Sequence, residues 1–300
     1  MKLSGLHLLL TYQCTFECDH CFVWGSPRQR GTLTLAQIGQ ILNQAQEAGV
    51  EWIYFEGGEP FLYYALLVRG VTLAAEMGFK VGVVSNGYWA QTVEDALIWL
   101  QPLVGKLEDL SISCDFFHAS PETLYLAHHA VRAAEQLSIP VGTISVAQPE
   151  EANAASRRGK LESEVQVMYR GRAVQTLAPR AIKQPWVELT DCPHEDLREP
   201  GRVHLDPLGN VQICQGISLG NVFQQPLKEI CAGYDPETHP ICGPLLLGGP
   251  AALVTKYILP HEPAYADACH LCDEARTHLR ARFPEILGPD QVYGFFPEGD

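Results

Sequence analysis

Along the first half of the chain, short apolar runs alternate with segments whose apolar residues recur every three to four positions. His7 to Leu10 is one such run and ends just before the first cysteine, as a buried strand delivering a loop would. From Thr34 to Ala48 the residues Leu35, Ile38, Ile41, Leu42 and Ala45 keep a helical period, and Gly49 closes the segment. The unit recurs as strand Trp52 to Phe55 with helix Tyr64 to Met77, and as strand Val81 to Val84 with helix Thr92 to Leu100. It appears again as strand Leu110 to Ser113 with helix Pro121 to Gln136, where Ser120 suits the N-cap and Pro121 the first helical position. Val141 to Val146 and Val165 to Tyr169 are two further strand runs, separated by a charged, Ala-rich helix over Glu150 to Glu162. Such alternation predicts a parallel sheet of about six strands, which suits an α/β fold of the partial (β/α)6 TIM-like barrel kind better than a closed barrel of eight.

After Arg180 the rhythm changes. Val203 to Asp206 and Val211 to Cys214 flank Pro207-Leu208-Gly209-Asn210, which reads as a β-hairpin. A boundary near Arg180 divides the chain into a barrel over residues 1–180 and a small α+β domain over 181–300. The tail from His239 is rich in Gly and Pro as far as Ala264, then helical from Ala266 to Arg282.

Composition narrows the partners. The 300 residues, 46% of them hydrophobic, suffice for a large core, and 21 basic against 35 acidic residues give a net charge of −14. A phosphate backbone meets repulsion from such a chain, which argues against nucleic acid. Neither a secretory signal nor an apolar run of about 20 residues is visible, so no membrane span and a cytoplasmic location are expected. The ten cysteines sit at metal-ligand spacings in a large chain, which favours thiolate ligation over disulfides.

Cys14, Cys18 and Cys21 form Cys-x3-Cys-x2-Cys in the loop leaving the first strand. Three thiolates can hold three irons of a 4Fe-4S cluster and leave the fourth iron open to a small chelating ligand. The bare spacing also fits a zinc site with His20 as fourth ligand. What separates the two is Gly57-Gly58-Glu59-Pro60, which follows the next apolar strand and so shares its rim with the cysteine loop.

With both motifs in place, the chain resembles the radical S-adenosylmethionine (SAM) superfamily, most closely from Leu8 to Pro60. The resemblance implies a SAM-binding 4Fe-4S cluster on Cys14, Cys18 and Cys21, and contacts to the cofactor from Gly57, Gly58, Glu59 and Pro60. His20 stands where the family usually has an aromatic residue, and is a candidate for packing against the adenine. Asn86 and Ser113, at the ends of the third and fourth strands, match positions that often contact the cofactor; turn chemistry and helix capping explain them equally well.

Six cysteines lie beyond the expected barrel. Asp206 to Ala275 resembles the twitch domain, a shortened SPASM extension, in which a cysteine, a Gly-x4-Cys hairpin and a later Cys-x2-Cys bind one auxiliary 4Fe-4S cluster. Carried over, these are Cys192, Cys214, Cys269 and Cys272, with Cys231 and Cys242 as alternatives to Cys192. The combined resemblance implies reductive cleavage of SAM, hydrogen abstraction by a 5'-deoxyadenosyl radical, and an electron donor such as flavodoxin or ferredoxin. An auxiliary cluster saturated by thiolates points to an oxidoreductase carrying out a net oxidation of a small-molecule or carbohydrate-like substrate. Peptide or protein maturation is the second reading, and a non-catalytic zinc scaffold the third. Candidates for an acid or base on the rim are Glu56, Asp115, His118, Tyr169 and Arg170.

Overall fold

The computed structural model describes residues 1–118, 124–149 and 166–296. Its first half is the expected alternation. Strands β1 (Gly5–Thr11), β2 (Trp52–Gly57), β3 (Lys80–Ser85), β4 (Asp109–Ser113) and β5 (Val141–Ile144) lie parallel and side by side in chain order. Helices α1 (Leu35–Glu47), α2 (Tyr64–Glu76), α3 (Val93–Leu100) and α4 (Tyr125–Gln136) make the crossovers. Thr34 and Gln37 form a capping box at the start of α1, and Thr92 caps α3, whose first turn carries Glu94 and Asp95. The apolar stripe of α1 is buried at Ile38, Ile41, Leu42 and Ala45, while Leu35 is exposed. Ser120, Pro121, Val165 and the helix expected over Glu150 to Glu162 lie outside the described residues.

The sixth parallel strand is not where the apolar run placed it. Residues 166–169 form no strand; Val167 and Tyr169 pack with Ala173, Leu177 and Ala178, on and beside α5 (Arg172–Thr176). An apolar run is satisfied by any buried surface, and here the small cluster beside α5 supplies it. The edge of β1 opposite β2 is taken by a later segment. After the two-residue strand β6 (Gln184–Pro185), β7 (Arg202–Leu205) pairs parallel with β1, and β8 (Asn210–Cys214) and β9 (Ile217–Asn221) extend the sheet antiparallel. The order is β5-β4-β3-β2-β1-β7-β8-β9, so one open sheet runs across position 180.

The β7–β8 turn is the one its Pro-Leu-Gly-Asn spelling predicts. Asp206 Oδ1 accepts from the backbone N–H of Leu208 and Asn210, and Oδ2 accepts from Gln212 Nε2 at 2.8 Å and the Tyr12 hydroxyl at 2.9 Å. The turn is thereby bonded to the start of the cysteine loop.

Beyond the sheet come α6 (Leu227–Gly233), α7 (Cys242–Tyr257), a short β10 (Ala264–Tyr265) paired with β6, and α8 (Ala268–Leu279). The Gly- and Pro-rich stretch thus holds a helix. Its apolar residues Leu245, Leu253 and Val254 are buried, and it kinks at Gly248-Gly249. Gly249 sits at φ +60°, and a Cβ there would lie 2.3 Å from the backbone nitrogen of Asp191. One core fills the space between the sheet and α1–α4; a second surrounds α7 and α8 and takes in Leu9, Tyr12 and Val23 from the first strand and its loop. No described helix is long and apolar enough to cross a membrane.

Candidate active site

β1 ends in the loop that carries Cys14, Cys18 and Cys21, and all three line one cavity of about 520 Å³ together with residues of β1 to β5. The loop is fixed from outside. Arg172, buried at the start of α5, donates from Nη1 to the Cys18 carbonyl and from Nη2 to the Gly25 carbonyl, both at 2.8 Å. Its own N–H donates to the Cys21 carbonyl at 3.0 Å. Gly171 sits at φ +61°, and a Cβ on it would lie 2.6 Å from Phe22 Cα. The Arg-Gly-Arg segment therefore acts as a clamp on the cysteine loop.

The sulfurs face donors. Cys14 Sγ accepts from Phe16 N at 3.4 Å and Asn86 Nδ2 at 3.5 Å, and Cys21 Sγ from Gly25 N at 3.1 Å. Burial, reinforced by Glu59, pushes the Cys14 thiol up to about 12; burial, then Cys21 and Cys14, raises Cys18 as well. Bare thiolates are costly here, and coordination to a metal is what relieves that cost. His20 does not turn to the sulfurs. Its ring lies 4.7 Å from Phe117 and 4.8 Å from His118, and its donor atoms group with those of Asp115 and His118. Burial, then His118, pushes His20 down to about 4, and its Nδ1 has no protein partner.

The two glycines after β2 serve the approach of one strand end to another. A Cβ on Gly57, at φ +139°, would lie 2.3 Å from the Thr11 carbonyl oxygen, and one on Gly58 would lie 2.1 Å from that of Gln13. Both glycines line the cavity. Glu59 is fully buried: Oε1 accepts from Ser85 Oγ at 2.9 Å and Phe61 N at 3.0 Å, and Oε2 from Asn86 N at 2.7 Å. Pro60 opens a buried 3-10 turn over Pro60–Tyr63. Asn86 joins the two motifs, since its side chain also donates to Thr15 Oγ1 at 3.1 Å, and with Ser113 it lines the same cavity.

Burial lifts the Glu59 carboxyl to about 7, against the pull of its hydrogen bonds. An acid with a folded pKa above its unfolded value near 4.3 adds most to stability below that value, and the contribution is lost as pH rises towards 7. Urea unfolding of the iron-free protein between pH 4.5 and 7.5 should therefore show stability falling by on the order of 3 kcal/mol. Glu59→Gln should flatten the slope; an unchanged slope would assign it to another group.

The expected acid and base candidates separate. Glu56 and His118 line the cavity, with Asp115 behind His118 and bonded to its Nδ1 at 2.8 Å. Burial would raise Asp115, but the bond and charge of His118 hold it below the ordinary carboxylate range. Tyr169 is buried in the small cluster beside α5. Arg170 belongs to a second cavity.

That second cavity is narrow and is lined by Cys192, Cys214, Cys269 and Cys272, with Arg170 and Arg276. Cys214, Cys269 and Cys272, marked by the hairpin and the Cys-x2-Cys spacing, thus share this cavity with Cys192, which the twitch resemblance implies. Cys231 lies in the other core, where its carbonyl accepts from the N-terminal ammonium at 2.9 Å. Cys242 is buried near Tyr234, in the second core. Burial, then Cys214, pushes Cys192 up to about 11, and burial pushes Cys272 up to about 12. Arg170 Nη1 donates to Cys214 Sγ at 3.1 Å; Arg170 Nε and both side-chain polar atoms of Gln215 have no protein partner. Buried thiols with cationic donors suit an anionic iron-sulfur cluster.

Sequence reasoning passed over two residues of the first cavity's surroundings. His7 on β1 and His204 on β7 are register partners, and both bond Glu56 through Nδ1 at 2.9 Å. Each is a lone histidine in an apolar run. The available signal was a polar residue at an inward strand position, and it acquires meaning only once β7 is known to pair with β1.

The family model described as the radical SAM superfamily matches residues 8–134. Over 129 residues the chain is 31% identical to the S-adenosylmethionine-dependent nucleotide dehydratase RSAD2 of Siniperca chuatsi, a match covering 41% of this chain and 34% of that one. It is 26% identical over 112 residues to the putative peptide biosynthesis protein YydG of Bacillus subtilis (strain 168), covering 37% of this chain and 35% of that one. The matches thus span about a third of the length of these curated relatives. Among solved structures, BtrN in complex with AdoMet and 2-DOIA shares the fold with a TM-score of 0.51 at 16% identity, over 77% of this chain and 83% of that one.

Proposed function

We propose, from the radical SAM domain that this chain carries over residues 8–134, that it oxidises a small hydroxylated substrate held in the cavity beneath Cys14, Cys18 and Cys21. These cysteines are proposed to hold a 4Fe-4S cluster with one iron left for SAM, and Cys192, Cys214, Cys269 and Cys272 a second, saturated cluster. When bound and reduced, the first cluster supplies the electron that splits SAM to a 5'-deoxyadenosyl radical, which takes a hydrogen atom from substrate. The chain's own groups do the rest. Arg172 holds the loop in place, and the N–H groups of Phe16 and Gly25 and the Asn86 amide meet the sulfurs.

The observation that carries this reading is a single cavity with the three cysteines at one end and polar strand residues at the other. Its lining includes Glu56 and Asp109 and, among the described residues, no Lys or Arg. Such walls suit an uncharged or cationic hydroxylated molecule and disfavour a polyphosphate, whose charge needs cationic partners. Peptide maturation is the second reading, supported by the similarity to YydG.

The test is anaerobic reconstitution with iron and sulfide, reduction, and SAM with a panel of myo-inositol, glucosamine, a nucleoside triphosphate and a short peptide. 5'-Deoxyadenosine release is expected to rise at least about tenfold with a polyol or amino sugar, with a hydrazine-reactive carbonyl as co-product. Stimulation by the peptide alone would favour the maturase, and by the triphosphate alone a nucleotide enzyme. No cleavage from fully loaded protein would leave the metal-binding scaffold. Replacing Cys269 and Cys272 by alanine should remove about four of about eight irons and leave SAM cleavage in place; an unchanged iron count would disprove the second cluster. An electron carrier such as flavodoxin or ferredoxin completes the proposal.

A further inference from the structure

The floor of the cavity is polar where a barrel interior is ordinarily aliphatic. Strand register places His204, His7, Tyr54, Gly82 and Asp109 in one row across five strands. Glu56 stands two residues further along β2, and its carboxylate reaches back to both imidazoles. The row lies three to four residues below the Gly57-Gly58 turn, about 10–13 Å at 3.3 Å per residue, which leaves space for one small ring.

The bonding fixes the protons. A guanidinium only donates, so Arg202 Nη1, 3.2 Å from His204 Nε2, makes that nitrogen an acceptor and puts the His204 proton on Nδ1, facing Glu56. Burial alone would raise Glu56, but His7 and His204 overcome it and hold the carboxyl well below its ordinary range, so Glu56 is an acceptor only. A neutral His7 then donates from Nδ1 and keeps its lone pair on Nε2. Tyr54 stacks on the ring at 4.9 Å, and the His7 side chain, 20% exposed, lines the cavity. The same assignment argues against a metal ion on the two Nδ1 atoms, because a metallated His204 would turn an N–H against Arg202.

We propose that His7 Nε2 is the base of this cavity, with Glu56 and His204 as its positioning residues, and that it takes the proton released when a bound alcohol is oxidised. The proposal rests on the oxidation argued above. After the carbon-bound hydrogen atom has gone to the adenosyl radical, the remaining C–OH centre must lose one proton and one electron to become a carbonyl. The O–H proton goes to His7 Nε2, and the electron would go to an oxidant of the kind that Cys192, Cys214, Cys269 and Cys272 would hold, an oxidised 4Fe-4S cluster. A chain of polar contacts joins the two: His204 to Arg202, Arg202 to Glu195 at 3.4 Å, Glu195 to Arg170 at 3.3 Å, and Arg170 to Cys214 at 3.1 Å. Positive charge gained at His7 and negative charge gained at the second cavity lie at the two ends of one polar network.

The test needs no substrate at its first stage. Long-range nitrogen-15 spectra of the reconstituted, oxidised protein should show both His7 and His204 protonated on Nδ1. In Glu56→Gln the amide offers one acceptor and one donor; His204, locked by Arg202, keeps the acceptor, and His7 should flip to the Nε2–H tautomer. Labelling of His7 by diethyl pyrocarbonate at fixed pH, read by peptide mass, should then fall about tenfold, the factor that about 1.4 kcal/mol of tautomer preference gives. His7 with its proton on Nε2 in the unaltered protein would overturn the proposal. So would cobalt(II) bound with ligand-field bands that vanish in His7→Gln. These outcomes do not depend on SAM cleavage, whose failure would instead remove the oxidation reading. In the carbonyl assay, His7→Gln should lower carbonyl formed per 5'-deoxyadenosine released at least about tenfold, and an unchanged ratio would make the network structural.

Discussion

Protein with Cys14, Cys18 and Cys21 all replaced by alanine is expected to keep its fold, lose about four irons and release no 5'-deoxyadenosine. The fold should survive because nothing essential to it passes through the sulfurs. The loop is tied by Arg172 to two backbone carbonyls and by Gly58 N to the Thr11 carbonyl at 2.7 Å, and Tyr12 is anchored on Asp206. What the sulfurs accept from Phe16, Gly25 and Asn86 are weak bonds at 3.1–3.5 Å. Iron analysis, circular dichroism and chromatography of the SAM products check the three parts separately. A triple variant that retained all its iron would place the first cluster elsewhere.

Gly58→Ala should be the most damaging small substitution. The added Cβ would lie 2.1 Å from the Gln13 carbonyl oxygen and 2.6 Å from that of Tyr12, and both are backbone atoms of the loop that must reach the cluster position. Neither side can yield cheaply, because β1 and β2 are paired up to Thr11 and Gly57, and Glu59 N donates to the Gln13 carbonyl at 2.9 Å. A loss of about 3 kcal/mol or more is expected, with a fall in Tm of about 10 °C and poor iron retention. Gly142→Ala, where a Cβ meets nothing within 4 Å, is the control and should be near neutral. Equal melting temperatures for the two variants would contradict the close approach.

The parts of this protein that were legible in the sequence are those written locally. Ile38, Ile41, Leu42 and Ala45 recur at helical spacing because they share a buried face; Gly49 closes their segment; Pro207 to Asn210 spell a turn that Asp206 then holds. The rest depends on distant pairings. β7 completes the parallel part of the sheet beside β1 across about 200 residues of chain, and no local pattern encodes which edge it will join. Val167 and Tyr169 misled because burial against α5 needs the same apolar residues as a strand. The Gly- and Pro-rich stretch from His239 to Ala264 showed no helical period yet holds a helix, kinked where Gly249 passes close to Asp191.

The candidate sites divide the same way. The cysteine spacings were visible because three thiols within Cys14 to Cys21, and two within Cys269 to Cys272, leave a fixed local mark. Cys192 was ambiguous by spacing, and only the fold separates it from Cys231 beside the N-terminus and Cys242 against Tyr234. Glu59, expected at the cofactor, has both carboxylate oxygens bonded to Ser85, Phe61 and Asn86. His7, His204 and Glu56 come from three strands, and nothing in any one of them shows that the other two are near.

Cys14, Cys18 and Cys21 are proposed to leave one iron free, on which SAM would be opened by one electron. The electron paramagnetic resonance signal of the reduced, reconstituted protein, recorded before and after adding SAM with 5'-deoxyadenosine counted in the same sample, reads that iron. SAM is expected to shift the signal of one cluster, and 5'-deoxyadenosine to form only when both reductant and SAM are present. A fully loaded protein whose signal ignores SAM and which releases no 5'-deoxyadenosine would contradict the proposal.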